Sequence, residues 1–337
     1  MALYHSVKIG NLTLDGNLFL APIAGYSDRA FRSLCVENGA SYCTTEMVSA
    51  EALTRGSQKT AALMARAPSE KAYAVQIFGG NADVMADAAK IVLETTECTS
   101  IDINGGCPVP KIIKSGAGSS LTRDPDLLYA IVSSVKNAAE SYASLHPERG
   151  NVPVTIKIRS GWDANHLTWK ECAEAALSAR ADAITIHART RAQGYEGKAD
   201  WSLLAELVEF IDGRIPVFAS GDIFSPENVK ACFEQTGVDG VMFARGAMGN
   251  PFIFDETKRF LLTGEHYSTP PNIRISAGME ELDILISLKG EQTACREMRK
   301  RFCAYSKGLD KASQMRSSIV SANTRADFAA IFADYLS

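Results

Sequence analysis

The decapeptide DINGGCPVPK, residues 102–111, sets a cysteine behind two glycines and ahead of a proline, where a short apolar run ends. A thiol in such a loop borders whatever pocket the strand end opens into. Cys107 is therefore open to several roles: nucleophile, metal ligand, acid/base, or the small buried residue that most free cysteines are. A thiol with an ordinary pKa of about 8.5 is mostly protonated at neutral pH and can donate a proton. No His or Cys nearby has metal-ligand spacing, no triad partner is evident, and no metal is expected.

Other chemistry-bearing residues fall at the ends of apolar runs in the same way. They are Pro22-Ile23-Ala24, Glu46, Gln76, Asn104, Lys157, Arg159, His187, Ser220-Gly221-Asp222 and Ala244-Arg245-Gly246. Lys157 interrupts the apolar TIKIR, and a lysine inside a strand implies an ion pair with Glu46 or a bound anionic group. Gln76 offers both donor and acceptor, suited to the polar edge of a heterocycle. The stretches ASGDI and FARGAMGNP combine small residues, free backbone amides and one guanidinium, Arg245, which suits a phosphate-bearing cofactor. His187 alone reads as a core histidine; its register with the other run ends draws it towards the site.

These residues need a scaffold that gathers strand ends in one place. Strand-like runs at 18–23, 42–48, 73–78, 100–104, 154–159, 183–188, 216–220 and 240–244 alternate with amphipathic helical stretches. The runs are continuously apolar, as in a parallel sheet covered by helices. Eight such units within about 250 residues predict an α/β fold of the (β/α)₈ barrel type, whose reactive groups lie at the C-terminal strand ends. An open doubly wound sheet is disfavoured because no GxGxxG follows the first strand. The expected division is a catalytic barrel over 1–256 and a small helical domain over 257–337.

Composition sets the class. The chain has 337 residues, 46% hydrophobic and 22% charged, which suits a globular protein with a sizeable core. No run approaches a membrane span, and no secretory signal is read at the N-terminus. Eight cysteines without a CxxC pattern suggest reduced thiols in a cytoplasm. The net charge of −4 gives no hint of a polyanionic partner, but charge is unevenly spread. Between Lys289 and Arg316 eight basic residues face three acidic ones, a basic helical stretch that suits a phosphate backbone.

LAPIAGYSDRAFR, QIFGG, DINGGCPVPK with GAGSSL, KIRSGWD, IHARTRAQGYEG, ASGDI and ARGAMGNPFIF follow one another in a distinctive order. In order and spacing they resemble the tRNA-dihydrouridine synthase family, and ACREMRKRFCAYSKGL resembles its helical tail. The resemblance spans about residues 7–325 and implies an FMN-dependent oxidoreductase that reduces uridines of tRNA, with NADPH as electron donor.

Carried over by position, it places Pro22, Ile23 and Ala24 along the flavin and Gln76 and Lys157 on its ring edge. His187 would sit by the flavin and its phosphate arm. Ser220, Gly221, Asp222, Ala244 and Arg245 would hold the phosphate. Asn104 would orient the uracil, Cys107 would be the general acid, and Arg189 and Arg191 would contact RNA or substrate. Departures are Ile23 for a usual methionine, Gly105 for a larger residue, Ala188 and Ala244 for glycine, and Ser220 for asparagine. In the tail, Arg301 stands for histidine and Ala304 for tryptophan. The rival readings are a dihydroorotate-dehydrogenase-like flavoprotein acting on a free pyrimidine and a non-catalytic tRNA-binding protein. The basic tail argues against the free pyrimidine, since a small substrate needs no such domain, and no membrane partner is expected.

Overall fold

A computed structural model describes residues 2–336. Eight parallel strands form a closed ring: β1 (Leu18–Leu20), β2 (Tyr42–Thr44), β3 (Tyr73–Phe78), β4 (Ser100–Gly105), β5 (Val154–Arg159), β6 (Ala183–His187), β7 (Val217–Ser220) and β8 (Gly240–Phe243). Closure comes from β8 pairing with β1, with Val241 level with Leu18. Each strand is followed by a helix: α1 (Arg29–Glu37), α2 (Ala50–Thr54), α3 (Ala82–Thr95), α4 (Pro125–Leu145), α5 (Trp169–Ser178), α6 (Trp201–Ile211), α7 (Pro226–Thr236) and α8 (Ile253–Thr263). This is the expected (β/α)₈ barrel.

Local sequence explains the alternation. Helix α3 buries Met85, Ala88, Ala89, Val92 and Leu93, a three-and-four spacing that turns one face to the strands. Asp28, Asp124 and Ser225 cap α1, α4 and α7 by accepting from backbone N–H groups, and Pro125 and Pro226 open the last two. A hairpin not foreseen from the sequence, Val7–Ile9 with Leu12–Leu14, packs its apolar side with Phe19, Tyr42 and Phe218 in the lower barrel.

The expected strand 42–48 is broken after Thr44 and resumes only at Val48–Ser49, which pairs with Ile77–Phe78. Thr45 fills the break by accepting from the Gln76 N–H, and Glu46 and Met47 are left only partly buried. The interruption is what frees these two residues from the core.

The chain leaves the barrel through residues 264–270 and then forms α9 (Pro271–Lys289), α10 (Glu291–Tyr305), α11 (Ala312–Ser321) and α12 (Arg325–Ile331). The expected junction at 256/257 falls inside α8, which packs on α7 and β1. The later helices share a core of their own, with Phe302 stacked on Phe328 at 4.6 Å and packed with Leu282, Leu285, Met298 and Phe332. Helix α10 docks against the barrel mouth. A Cβ on Gly249 would lie 2.4 Å from the Ala304 carbonyl carbon, so the loop after β8 meets α10 backbone to backbone.

One buried charge cluster holds this docking. Arg301, 2% exposed, pairs with Glu281 and with Asp28 (Nη2 to Oδ2, 2.7 Å), and its guanidinium lies 4.9 Å over the Tyr26 ring. Tyr305 donates to the other Glu281 oxygen at 2.8 Å, and Lys289 reaches Asp28 at 3.4 Å. The same carboxylate that caps α1 therefore anchors α10. Arg301→Met leaves Glu281 buried without its cation and Asp28 with only the more distant Lys289, and should cost about 3 kcal/mol of unfolding free energy in denaturant titration. Adding Glu281→Gln should recover part of that loss.

Candidate functional site

Strand register assembles the mouth of the barrel. Gln76 is level with Asp102, Asp102 with Thr155, Asn104 with Lys157, and His187 with both Arg159 and Ser220. Alternate residues of a strand share a face, so Asp102 and Asn104 point together, as do Thr155, Lys157 and Arg159. The resulting cleft has a cavity volume of about 280 Å³ and is lined by Pro22, Ile23, Ala24, Met47, Gln76, Asn104, Cys107, Lys157, Arg159, His187, Tyr195, Ala244 and Arg245. A second recess of about 90 Å³ adjoins it, sharing Lys157, His187 and Arg245 and adding Ser220, Gly221 and Asp222. Of the residues the resemblance assigns to the site, only Arg189 and Arg191 line neither; the strand-end residues Glu46 and Gly246 also lie outside both.

Lys157 is the unusual group. It forms no ion pair with any described residue, and the pairing with Glu46 offered by the sequence is absent: Glu46 accepts instead from the Gly25 N–H at 2.7 Å. Burial, reinforced by Arg159 and opposed by Asp102, draws the ammonium pKa down to about 8. His187 is lowered much further, to about 2, by burial and then by Lys157, Arg159, Arg189 and Arg245. Its ring is therefore neutral at physiological pH and serves as a hydrogen-bonding and packing surface. Gly221, at φ +109, lies so close that a Cβ would sit 2.7 Å from His187 Cδ2.

At the recess, Arg245 lies 4.6 Å from the Tyr195 ring centroid and 5.1 Å from that of Phe224. Two aromatic faces thus hold one guanidinium beside the amides of the loop after β7. Neither aromatic is anticipated by the sequence reading, because single residues in irregular loops carry no periodic signal.

Two of the expected site residues hold each other. Arg189, expected to contact RNA or substrate, is 2% exposed and fully engaged. It donates to both Asp222 oxygens at 2.8 Å and to the Glu196 and Gly197 carbonyls. Asp222, expected to hold phosphate, has a carboxylate that takes Arg189, the Ala199 N–H at 2.7 Å and, at 3.5 Å, Arg245. Burial pushes Asp222 up, and these donors outweigh it and hold the carboxyl below its ordinary range. It remains an anion that organises arginines and, as a side chain, would repel a phosphate. Arg191 lies 4.5 Å over Trp162, whose ring also has Arg123 at 4.7 Å, so these form a cationic rim outside the cleft.

Cys107 is half-buried, one of only two cysteines among the described residues that are not fully buried. Its loop is pinned on both sides. The Cys107 N–H donates to Asn104 Oδ1 at 2.9 Å, and its carbonyl accepts from Ser119 N–H at 3.0 Å and Ser119 Oγ at 2.9 Å. Arg159 Nε donates to the Gly106 carbonyl at 3.0 Å, and its Nη1 ties in Thr190 and Gly194. Burial pushes the thiol pKa up, only partly offset by the Val109 backbone and Arg159. A thiol held protonated in a cleft is a proton donor before it is a thiolate nucleophile.

A sequence model described as "Dihydrouridine synthase (Dus)" matches residues 19–336. A "Probable tRNA-dihydrouridine synthase" of Treponema pallidum (strain Nichols) is 49% identical over 337 residues, covering 99% of this chain and 97% of the relative. A "tRNA-dihydrouridine synthase B" of Pseudomonas putida is 39% identical over 301 residues, covering 89% and 85%. Among solved structures, a DHODH from Eimeria tenella in complex with ferulenol superposes with a TM-score of 0.56 at 14% identity, covering 76% of this chain and 83% of that one. That likeness concerns the barrel fold.

The state of Lys157 can be read without any ligand. Its pKa is lower folded than unfolded, so the unfolded chain binds more protons between about pH 8 and 10.5. The destabilisation is full below that window and is relieved as pH rises through it. The unfolding free energy of the ligand-free protein, minus that of Lys157→Met, should therefore climb between about pH 8 and 10. A flat difference would remove the buried cation.

Proposed function

The chain belongs to the dihydrouridine synthase family, and from that premise we propose that it is a tRNA-dihydrouridine synthase, a cytoplasmic reductase of tRNA uridines that binds FMN and draws electrons from NADPH. One observation carries the reading. A protonated thiol, Cys107, faces the same cleft as an unpaired cation, Lys157, and an anion-holding end built around Arg245. The residues fit the flavin on the chemistry of their donors. Lys157 lacks a counter-charge, Gln76 is buried with an amide edge in the cleft, and the Gly221 backbone leaves no room for a side chain beside His187.

In this proposal Pro22, Ile23 and Ala24 flank the isoalloxazine, and Gln76 and Lys157 bond its polar edge. Neutral His187, the Ser220-Gly221 amides and the Ala244-Arg245 turn hold the phosphate arm. Asp222 contributes by fixing Arg189 and Arg245. Bound reduced FMN supplies a hydride to C6 of the uracil. The remaining chemistry belongs to the chain. Cys107 gives its S–H proton to C5, so the C5–C6 double bond gains hydride and proton together. The thiolate left behind recovers a proton from solvent. Asn104 directs the uracil through the amide N–H that here meets only the weak acceptor Met47 Sδ at 3.8 Å, since its carbonyl is committed to the Gly106 and Cys107 N–H groups.

The uridine must leave the stack of the folded RNA to reach this depth, and the rest of the RNA needs a surface to rest on. Of the basic residues between 289 and 316, Lys289 and Arg301 are spent on the docking cluster, and Arg299 on Ala322 and Asn323. Arg296, Lys300, Lys307, Lys311 and Arg316 are exposed and make no ion pair with a described residue. We place the phosphate contacts on these five, so the helical part beginning at Pro271 is the tRNA-binding domain.

Cys107→Ala should retain flavin and tRNA binding while uridine reduction falls by about 100-fold or more, read by mass spectrometry of digested tRNA. Undiminished turnover would remove the proton-donor role. Lys300→Glu should weaken tRNA binding and lower the slope of log affinity against log salt by about one, with kcat unchanged.

A further inference from the structure

The cysteine loop is tied to a carboxylate that never reaches the cleft. Asp102 is 2% exposed and lines neither recess. Its Oδ1 accepts from Thr155 Oγ1 at 2.6 Å and its Oδ2 from Gln76 Nε2 at 2.7 Å. Gln76 Oε1 in turn accepts from Asn104 Nδ2 at 2.8 Å. Asn104 Oδ1 then accepts from the N–H groups of Gly106 at 3.1 Å and Cys107 at 2.9 Å. The chain of bonds runs unbroken from a buried carboxylate, its pKa pushed up by burial and drawn back by its Thr155 and Gln76 donors and by Lys157, to the backbone of the thiol.

Both ends of this chain are polar in one sense only. An ionised carboxylate can only accept and a backbone N–H can only donate. Two amides stand between them, and each could be turned end over end. A single arrangement satisfies every bond: Gln76 with its nitrogen towards Asp102, Asn104 with its oxygen towards Cys107. Turning either amide sets donor against donor or acceptor against acceptor in a buried place, which is costly. With Asp102 ionised, the orientation of Asn104, and hence the seat of the cysteine loop, follows from one charge two residues away.

We propose that Asp102 is a positioning residue for the proton donor, acting through the ordered amides of Gln76 and Asn104 on the Cys107 loop. The proposal rests on reading Cys107 as the proton donor. It assigns the first residue of the DINGGC stretch a role distinct from anything in the cleft. It also defines what the cleft is offered, namely the second N–H of Gln76 and that of Asn104, the latter held here only by Met47 Sδ at 3.8 Å, with both carbonyls already engaged.

The test reverses the bond order by moving the charge. Gln76→Glu sets two carboxylates face to face. Adding Asp102→Asn restores every bond, because the new amide at 102 donates to the carboxylate now at position 76 and still accepts from Thr155. Two quantities are followed in the FMN-loaded proteins: the rate of Cys107 alkylation by iodoacetamide, resolved by peptide mass spectrometry, and kcat and KM for tRNA uridine reduction.

Gln76→Glu alone should slow kcat by about 100-fold with tRNA KM little changed, and should shift the alkylation rate. The double variant should regain at least about tenfold in kcat and return alkylation towards the wild-type rate. If Gln76→Glu does not fold, Asn104→Asp with and without Asp102→Asn repeats the test, since Gln76 then turns over and needs a donor at 102. Additive losses, with the double variant as impaired as the worse single one in both quantities, would overturn the proposal. Should the wild-type protein leave tRNA unreduced, the functional reading fails on its own, and alkylation still decides whether Asp102 places the thiol.

Discussion

A lysine enclosed at the mouth of a barrel, with no carboxylate of the described residues in ion-pair reach, is the constraint around which the site is arranged. Asp102, whose charge acts on it, and the strand-end carboxylates Glu46 and Asp222 are each committed elsewhere. Glu46 takes the Gly25 N–H, Asp102 takes Gln76 and Thr155, and Asp222 takes Arg189 and Ala199. What remains facing the cleft are donors: Lys157, Arg245, backbone amides and amide N–H groups. A buried cation left uncompensated is destabilising, so the arrangement makes sense only for a cleft that receives an anionic, acceptor-rich ligand. Burial, reinforced by the same cations, keeps His187 neutral. The cysteine, whose pKa is raised, stays a thiol.

The rest of the fold serves that cleft from two directions. The barrel provides register, placing residues from eight strands at one end without any long connection. The C-terminal helices dock on the mouth at two loops, the one after β8, where Gly249 meets α10, and the one after β1. Pro22, Ile23 and Ala24 lead into Ser27, which accepts from the Ile23 N–H at 2.8 Å, and then Asp28, which Arg301 grips from α10. The cleft-lining loop and helix α10 therefore share one buried charge cluster.

Much of this is legible in the sequence, for physical reasons. Continuous apolar runs and three-and-four helical spacing report burial directly, so strands and helices lie close to where the pattern puts them. The polar residues ending those runs stand out because a barrel collects strand ends. Charge pairing is not legible. Arg189 reads as a free cation in a loop and is an internal brace on Asp222, and Arg301 and Lys289 read as surface charge and are spent on Asp28. Asp102 escapes a sequence reading although it lies two residues before Asn104, on the same strand face, which is the available signal. Tyr195 and Phe224 leave no trace at all, since nothing in a loop sequence says which guanidinium an aromatic will cover.

The most direct measurement is an anaerobic single turnover. The protein is loaded with FMN, reduced with NADPH, freed of excess donor, and mixed with unmodified tRNA while flavin absorbance and dihydrouridine are followed together. Flavin reoxidation should proceed in step with dihydrouridine, in equimolar amounts, and free pyrimidines should not substitute for the tRNA. A flavin that stays reduced in the presence of tRNA, or that is reoxidised by a free pyrimidine instead, would contradict the account.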